Sequence, residues 1–582
     1  MLARWAFAMV VLSQWQGLAQ GKSTKQGGSS WLEVDFEEGQ AQKQRPHVVI
    51  ILADDMGYGD IGYTAKEPIC GNLASTGRQV VTPFMDDLVE SPGAVKLKHF
   101  YVQPSCSPTR MALLTGRYPL RFGFGSVTPI FASPSGPDDD GLPLEEKTIG
   151  DALQLLDYHT HIVGKWHLGH ATTSYTPASR GFDSFFGHYS AGIDHYTHQV
   201  NASMLPKFIR DLSDRQGGID AYYDLHKETR DEHTGHVTFE MEMDCETYST
   251  DLYTDKAVNL IKDHVSTNGR EEPLFLYVAY AAVHAPIQAP PFEACSSKDF
   301  GSPQGDYDRE GICNMALALD QGISKIKDEL EQQNMWDDTL FVFMSDNGGD
   351  ESFGSSNCNY TGGKGMTEEG GIRAPAFMHL GSHLRGLSFD GPYDSNGMVH
   401  IVDIFATAVG AAAISAPHGS GNRNEVLHHV DYVDGINFWK QIQNGDASFG
   451  RSELPICAGN KPIPSLGFSV MIKEVDSKER GLHNFKLMCR AKRNNQWWNP
   501  KCQLYDLTHD MRELPENNLF RKPRFYDVRR EMMGMMHQWE REVSPRDMYL
   551  PSAWRRALSL KRECSYPGDC TILPNLNSCA LP

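Results

Sequence analysis

Four oxygen-bearing side chains stand in two adjacent pairs far apart in the chain: Asp54 and Asp55 close "HVVIILADD", and Asp346 and Asn347 close "TLFVFMSDNGG". Oxygen ligands alone suit a hard cation, calcium or magnesium, better than zinc. A second group is cationic. Lys165 and His167 stand two apart in "VGKWHLG", a spacing that predicts one shared face of an extended segment. His284 follows "LFLYVAYAAV", Lys364 sits in the glycine-bracketed "GGKGMTEEGG", and Arg110 lies four residues after Cys106. Such cations are natural partners for a tetrahedral anion such as sulfate or phosphate. Each residue alone also has a plainer reading. An Asp after a strand caps the next helix or makes an Asx turn, and a lone His or Lys pairs at the surface.

Cys106 lies in "PSCSPTRMALLTGRYP", at what reads as the mouth of a helix. Pro108 fits a first turn, and Met111, Leu113 and Leu114 supply packing. Amide N–H groups and the helix dipole there favour negative charge, which allows a reactive thiolate. A buried thiol or a disulfide partner fits the same spacing.

These residues need a scaffold that gathers distant segments. From residue 46 the chain alternates short apolar runs with longer amphipathic ones, the pattern of an α/β domain on a largely parallel sheet. The two carboxylate pairs and His284 follow three of those runs, and ligands of open α/β sheets collect beyond the carboxyl ends of strands. Helices are clearest in "TIGDALQLLDY" and "GICNMALALDQGISKIKDELEQQ". After about residue 450, "GFSVMIKEVD", "NFKLMCRAK" and "KCQLYDL" read as strands of a smaller antiparallel sheet, followed by the helical "VRREMMGMMHQWEREV", whose methionines read as core packing.

The 582 residues exceed what one core usually organises. The expected division is a signal peptide at residues 1–19, a linker at 20–45, a catalytic domain at 46–450, an α+β subdomain at 451–560 and a Cys-containing tail at 561–582. The run Trp5 to Leu12 and the small residues Gly17 and Ala19 support the signal peptide. No later stretch is apolar and long enough to span a bilayer, so the mature form is expected to need no membrane. The net charge of −20, from 74 acidic against 54 basic residues, argues against a nucleic-acid partner. A secreted chain with twelve cysteines is expected to carry disulfides. Setting Cys106 aside leaves an odd number, so a second free thiol is expected, and Cys564, Cys570 and Cys579 are expected to bridge the tail. "NAS" at Asn201 and "NYT" at Asn359 are glycosylation sequons. The run Asp138 to Asp140 reads as a solvated turn.

Several segments, in order, resemble one family. "CSPTRMALLTGRYP" resembles the signature of the formylglycine-dependent (type I) sulfatases, on the alkaline-phosphatase-like fold, and "VVIILADDMGYGD", "TPFMDDLV", "VGKWHLGH", "RGFDSFFGHYSAGIDHYTH", "VAYAAVHAPIQAP", "FMSDNGG" and "GGKGMTEEGGIRAPA" resemble its further segments. The likeness runs from about residue 46 to 440 and, more weakly, through "LYDLTHDMRELPENN". It implies a large mixed, mostly parallel sheet flanked by helices with a smaller C-terminal antiparallel domain. It implies one calcium ion held by Asp54, Asp55, Asp346 and Asn347 with residue 106 in contact. It also implies that Arg110, Lys165, His167, His284 and Lys364 are the catalytic and sulfate-binding cations. Thr109 stands where Ser is commoner in the motif. A substrate-side polar residue is implied within "HYSAGIDHYTH" without being singled out.

The resemblance further implies that Cys106 is oxidised to Cα-formylglycine by a formylglycine-generating enzyme in the secretory pathway. A hydrated aldehyde offers one hydroxyl to attack sulfur and a second to expel sulfate. Roles follow from charge: Lys165, Lys364 and Arg110 offset charge on the sulfuryl oxygens, His284 or Lys364 protonates the leaving oxygen, and His167 takes the proton of the second hydroxyl. The expected substrates are sulfated carbohydrates or aryl sulfates, with "GHYSAGIDHYTHQ" resembling the arylsulfatase B branch, and the expected location is extracellular or lysosomal. Two rivals remain: a phosphonate or phosphate ester hydrolase on the same fold, and a catalytically silent protein that binds sulfated glycans.

Overall fold

A computed structural model of the chain describes residues 45–71, 80–122, 141–200, 222–296, 307–389, 391–414, 426, 432–457, 468–477, 481–492 and 496–543. The residues expected to form the signal peptide, almost all of those expected as linker, Asn201, Asp138 to Asp140 and the expected tail with Cys564, Cys570 and Cys579 lie outside them.

Sixteen strands are described. They are β1 (His47–Ala53), β2 (Ala94–Tyr101), β3 (His159–Lys165), β4 (Ser184–His188), β5 (Gln199–Val200), β6 (Tyr222–Tyr223), β7 (His226–Arg230), β8 (Val237–Met241), β9 (Leu274–Ala279), β10 (Thr339–Ser345), β11 (Ala376–Leu380), β12 (Tyr393–His400), β13 (Glu453–Cys457), β14 (Phe468–Ser477), β15 (Gly481–Lys492) and β16 (Gln496–Asp506).

Ten of them form one sheet in the order β12-β2-β11-β10-β1-β9-β3-β4-β7-β8. The central run β10-β1-β9-β3-β4 is parallel, and antiparallel β11 and β7 begin the two flanks. Every residue of β1, β9 and β10 is buried, which is why those segments read as unbroken apolar runs and not as alternating ones. Val49, Ile51 and Ala53 of β1 share a core with Tyr253, Ala257 and Ile261 of the helix Ser249–Thr267 and with Ile312, Met315, Leu319 and Ile323 of the helix Tyr307–Gln332. These helices are the crossovers that return the chain to β9 and β10, so the carboxyl ends of β1, β9, β3 and β10 finish at one edge.

The smaller sheet, β13-β14-β15-β16, is antiparallel. Met532 and Met536 of the helix Tyr526–Val543 pack with Phe485, Leu487 and Leu504, as the methionine pattern predicts. The helix expected in "TIGDALQLLDY" is short, Ile149–Gln154, and opens with a Thr148–Asp151 capping box.

Disulfides join Cys70 to Cys358, Cys295 to Cys313 and Cys489 to Cys502, and Cys245 is also bonded. Cys106 is the free cysteine among the described residues. Asn359 of the second sequon is exposed. No described helix is long and apolar enough to cross a membrane.

Candidate active site

Cys106 opens the helix Cys106–Thr115, after Ser105 in extended conformation, and every residue of that helix is buried. Pro108 lies in the first turn, where its missing N–H has no intrahelical acceptor to lose. Gly116, at φ 66°, ends the helix in the left-handed region and donates its N–H to the Ala112 carbonyl. Thr109 turns its hydroxyl back on the preceding segment: Oγ1 donates to the Gln103 carbonyl at 3.0 Å and accepts from the Gln103 amide at 3.1 Å. The hydroxyl that Thr shares with Ser thus fixes the entry to Cys106.

The carboxylate pairs meet at the ends of β1 and β10. The Asp54 amide donates to the Ala282 carbonyl beyond β9, and the Asp55 amide donates to Asp346 Oδ1 at 3.1 Å. Cys106 Sγ lies 3.4 Å from Asp54 Oδ1 and 3.9 Å from Asp55 Oδ1. Gly348 lets the "DNGG" loop close on the loop after Lys364, since a Cβ there would stand 1.8 Å from the Gly370 carbonyl oxygen.

The cations interleave with the acids. Lys165 Nζ donates to Asp54 Oδ2 at 2.5 Å and Lys364 Nζ to Asp55 Oδ2 at 2.6 Å. Arg110 donates to Asp346 Oδ2 at 2.8 Å and to the Lys165 carbonyl at 3.1 Å. His284 places Nε2 3.7 Å from Asp55 Oδ2. Its Nδ1 contacts the Ala285 carbonyl, which can only accept, so Nδ1 carries the proton and the neutral ring presents Nε2 as an acceptor. Lys165 and Arg110 are fully buried, whereas the Lys364 and His284 side chains are 23 % and 20 % exposed, so the cluster opens on that side.

Electrostatics sort these groups. Burial would raise the Asp54 carboxyl, but Lys165, His284 and Arg110 hold it well below the usual range. Asp55 is lowered against burial by Lys364 and His284. Burial, and then the Asp54 charge, push Asp346 up to about 7 despite Arg110. Burial, and then the Asp346 charge, push the Cys106 thiol well above its ordinary value. Of the readings the sequence left open, this favours the buried thiol for the unmodified side chain: desolvation and the Asp346 and Asp54 charges outweigh the helix dipole.

The residues fit a hard cation. Asn347 Nδ2 is spent on Asp55 Oδ1 and the Gly348 carbonyl, while Asn347 Oδ1 is buried with no hydrogen-bond partner. An orphaned carbonyl among three buried carboxylates is a set of oxygen donors for calcium. The ligand atoms of Asp54, Asp55, Cys106 and His284 all lie within 4.8 Å of one another, so the structure adds His284 to the expected metal surroundings.

The contacts above bring together every residue expected at the site except His167. β3 stops at Lys165, and His167 has φ 53°. The regular strand thus ends at Lys165, although the Trp166 amide still donates to the His188 carbonyl. His167 is buried, with its amide on the Tyr189 carbonyl.

One residue escaped sequence reasoning. His195 Nε2 lies 3.0 Å from the His284 carbonyl and Nδ1 lies 2.8 Å from Ser249 Oγ. The carbonyl only accepts, so Nε2 donates and Nδ1 accepts, and burial holds the ring neutral by lowering its pKa to about 4. Asp194 caps its turn through the Tyr196 and Thr197 amides, and Gln288 bridges Asp194 and the His195 amide. "IDHYTH" carried the Asx-turn signal, but its packing on the His284 loop is a tertiary fact.

Comparison with known proteins follows the same geometry. The family model described as Sulfatase matches residues 46–414. Arylsulfatase J of Mus musculus is 32% identical over 443 residues, 75% of this chain and 63% of that protein. N-acetylgalactosamine-6-sulfatase of Homo sapiens is 30% identical over 412 residues, 69% of this chain and 66% of that protein. The chain thus spans less than two thirds of the length of these relatives. Among solved structures, Ps i-CgsB in complex with k-i-k-neocarrahexaose superposes with a TM-score of 0.63 at 27% identity, covering 89% of this chain and 98% of that one.

Proposed function

The chain belongs to the sulfatase family, and from that premise we propose that it is a sulfuric ester hydrolase acting on a sulfated carbohydrate, with aryl sulfates as artificial substrates. The observation that carries the proposal is that Asp54 and Asp55, beside Cys106 Sγ, gather Asp346, the orphaned Asn347 carbonyl and the cations Lys165, Lys364 and Arg110 into one cluster. Sulfated saccharides are also what the names of the similar proteins point to: one relative is an N-acetylgalactosamine-6-sulfatase, and Ps i-CgsB is described with a neocarrahexaose.

Asp54, Asp55, Asp346 and Asn347 would hold one calcium ion, which when bound supplies positive charge for sulfuryl oxygens. Cys106, converted to formylglycine, would supply a hydrated aldehyde as the nucleophile. The remaining work belongs to the chain's own side chains. Lys165 and Lys364, each now on one oxygen of an aspartate, have ammonium protons to offer an incoming sulfate. Arg110 locks the Cys106 helix to β10 through Asp346 and to the end of β3 through the Lys165 carbonyl. Of the two open-side candidates for protonating the leaving oxygen, His284 or Lys364, the neutral His284 presents Nε2 as an acceptor, which leaves the Lys364 ammonium as the donor, and His167 accepts the proton of the second hydroxyl. Lys165, Lys364 and Arg110 bring fixed positive charge to the oxygen cluster that a two-metal phosphatase would take from a second ion, a reading that favours the monoanionic sulfate ester.

The test is the mass of the tryptic peptide His99–Arg110 from protein secreted by a host with the modifying enzyme, read beside release of sulfate from a chromogenic aryl sulfate. A mass about 18 Da below the cysteine form, from CH₂SH becoming CHO, together with turnover is expected. An unmodified Cys106 with no turnover overturns the proposal and favours a sulfated-glycan-binding protein.

A further inference from the structure

Among the described residues, one other group has the composition and convergence of a metal site: His483, Asp506 and His509. It comes from the smaller sheet and from the "LYDLTHD" segment, which the proposed reaction does not use. Asp506 ends β16, in register with Phe485 of β15, so His483 lies two residues along β15 on the same face. The Leu507 amide continues that pairing onto the Asn484 carbonyl at 2.7 Å. The chain then turns back: the His509 and Asp510 amides both donate to the Asp506 carbonyl, which carries His509 over the Asp506 side chain.

Asp506 divides its two oxygens. Oδ1 accepts from the Thr508 amide at 3.2 Å. Oδ2 receives both imidazoles, with His483 Nδ1 at 2.8 Å and His509 Nδ1 at 3.0 Å. The two rings stand 4.9 Å apart, and Phe485 stacks on His483 at an interplanar angle of 12°. His483 and Asp506 are held in the sheet with side chains 10 % and 13 % exposed, while His509, 68 % exposed, closes over them from solvent.

Two imidazole nitrogens and one carboxylate oxygen form a donor set for a borderline divalent ion and not for calcium. In a tetrahedral zinc site, bonds of about 2.0–2.2 Å place neighbouring ligand atoms roughly 3.3 Å apart. The observed nitrogen–oxygen separations need to open by about half an ångström or less to admit the ion. Each imidazole would bind the metal through Nδ1 and carry a proton on Nε2, and the outward coordination position is left to water.

We infer that His483, Asp506 and His509 form a zinc-type divalent cation site on the C-terminal sheet, built from residues distinct from the calcium ligands. The inference does not depend on the sulfatase reaction. The full chain, stripped of metal and then saturated with calcium so that the oxygen cluster is occupied, is titrated with zinc against a chromogenic zinc chelator. One zinc equivalent is expected, with binding weakened at least tenfold in His509→Ala and Asp506→Asn while aryl sulfate turnover stays as in the parent. His509 is exposed, so its alanine variant keeps the fold and carries the test even where Asp506→Asn is lost. Absence of zinc uptake by the calcium-loaded parent, or uptake by His509→Ala equal to the parent, overturns the inference.

Discussion

Two buried charge clusters, one including Lys364 and the other Glu369, are built to opposite ends. In the first, Asp54, Asp55 and Asp346 face Lys165, Lys364 and Arg110 around Cys106. In the second, Lys486 of β15 donates to Glu369 Oε1 at 2.9 Å and lies 2.8 Å from Glu513 Oε1, Glu369 Oε2 accepts from Tyr101, and Glu513 Oε2 accepts from the Glu369 amide at 2.6 Å. Both hold a carboxyl pushed up to about 7. Burial and the Asp54 charge do this at Asp346, and burial and the Glu369 charge do it at Glu513 against the pull of Lys486. The difference lies in what is left over. Each cluster holds a buried oxygen with no hydrogen bond, Asn347 Oδ1 in the first and Glu513 Oε1 in the second, but Glu513 Oε1 has the Lys486 ammonium 2.8 Å away; the first cluster also has an exposed flank at Lys364 and His284, whereas the Lys486 and Glu369 side chains have no exposure. Shifted pKa values alone do not separate a reactive centre from a structural clasp. Access to solvent, and an acceptor with no cation already paired to it, do.

The sharpest break in the comparison comes from removing one lysine from each cluster. Lys165→Met, assayed in excess calcium, is expected to lower the rate of aryl sulfate hydrolysis by about 10² to 10⁴-fold while the protein remains folded by circular dichroism. Lys486→Met strands two buried glutamates, and urea unfolding is expected to show a loss of about 3–5 kcal/mol, with activity per folded molecule little changed. An equal loss of stability in both variants would erase the distinction.

Calcium sharpens the contrast from the ligand side. At a hundredfold excess over its dissociation constant it is expected to stabilise the parent by about 2.7 kcal/mol in thermal unfolding, to give no such gain in Asp346→Asn, and to give the full gain in Glu513→Gln. His195 tests how far the open cluster reaches. His195→Ala, which frees the His284 carbonyl, is expected to lower kcat roughly tenfold to a hundredfold with KM nearly unchanged, because a displaced His284 weakens a step of the reaction more than it weakens binding.

The smallest effect is on pH dependence. Glu513 has its pKa raised from 4.5 to about 7, so between those values the native state keeps a proton that the unfolded chain has released. Stability contributed by this group therefore falls as pH rises from about 4.5 to 7 and is level above. Glu513→Gln is expected to flatten the midpoint-versus-pH curve in that window, read by urea titrations at pH 5 and 7.

Much of the open cluster was legible from residue order. "LADD", "SDNGG" and "GGKG" each follow an apolar run or sit between glycines, and β1 and β10 end where those runs end. Cys106 at a helix start followed from Pro108 and the apolar spacing after it. The two-residue spacing of Lys165 and His167 assumed a strand through both, whereas β3 ends at Lys165 and His167 adopts φ 53°. The state of Cys106 stayed open between thiolate and buried thiol because a helix dipole is local to the sequence, whereas the carboxylates that oppose it arrive from residues 54 and 346.

The closed cluster was not legible at all. Nothing near Lys486 in "NFKLMCRAK" marks it as other than a surface lysine on a strand, and Glu369 and Glu513 lie far from it in the chain. The sequence by itself determined the run of buried strands, the helix that begins at Cys106 and the residue types that line the strand ends, because these rest on periodicity, turn chemistry and capping within a few residues. Only the tertiary structure decided which charges face one another, which acceptor is left unmet and that His195 stands behind His284. Those depend on distances between segments up to hundreds of residues apart, and a buried charge takes its energy from whatever lies within a few ångströms of it, wherever in the chain that neighbour comes from.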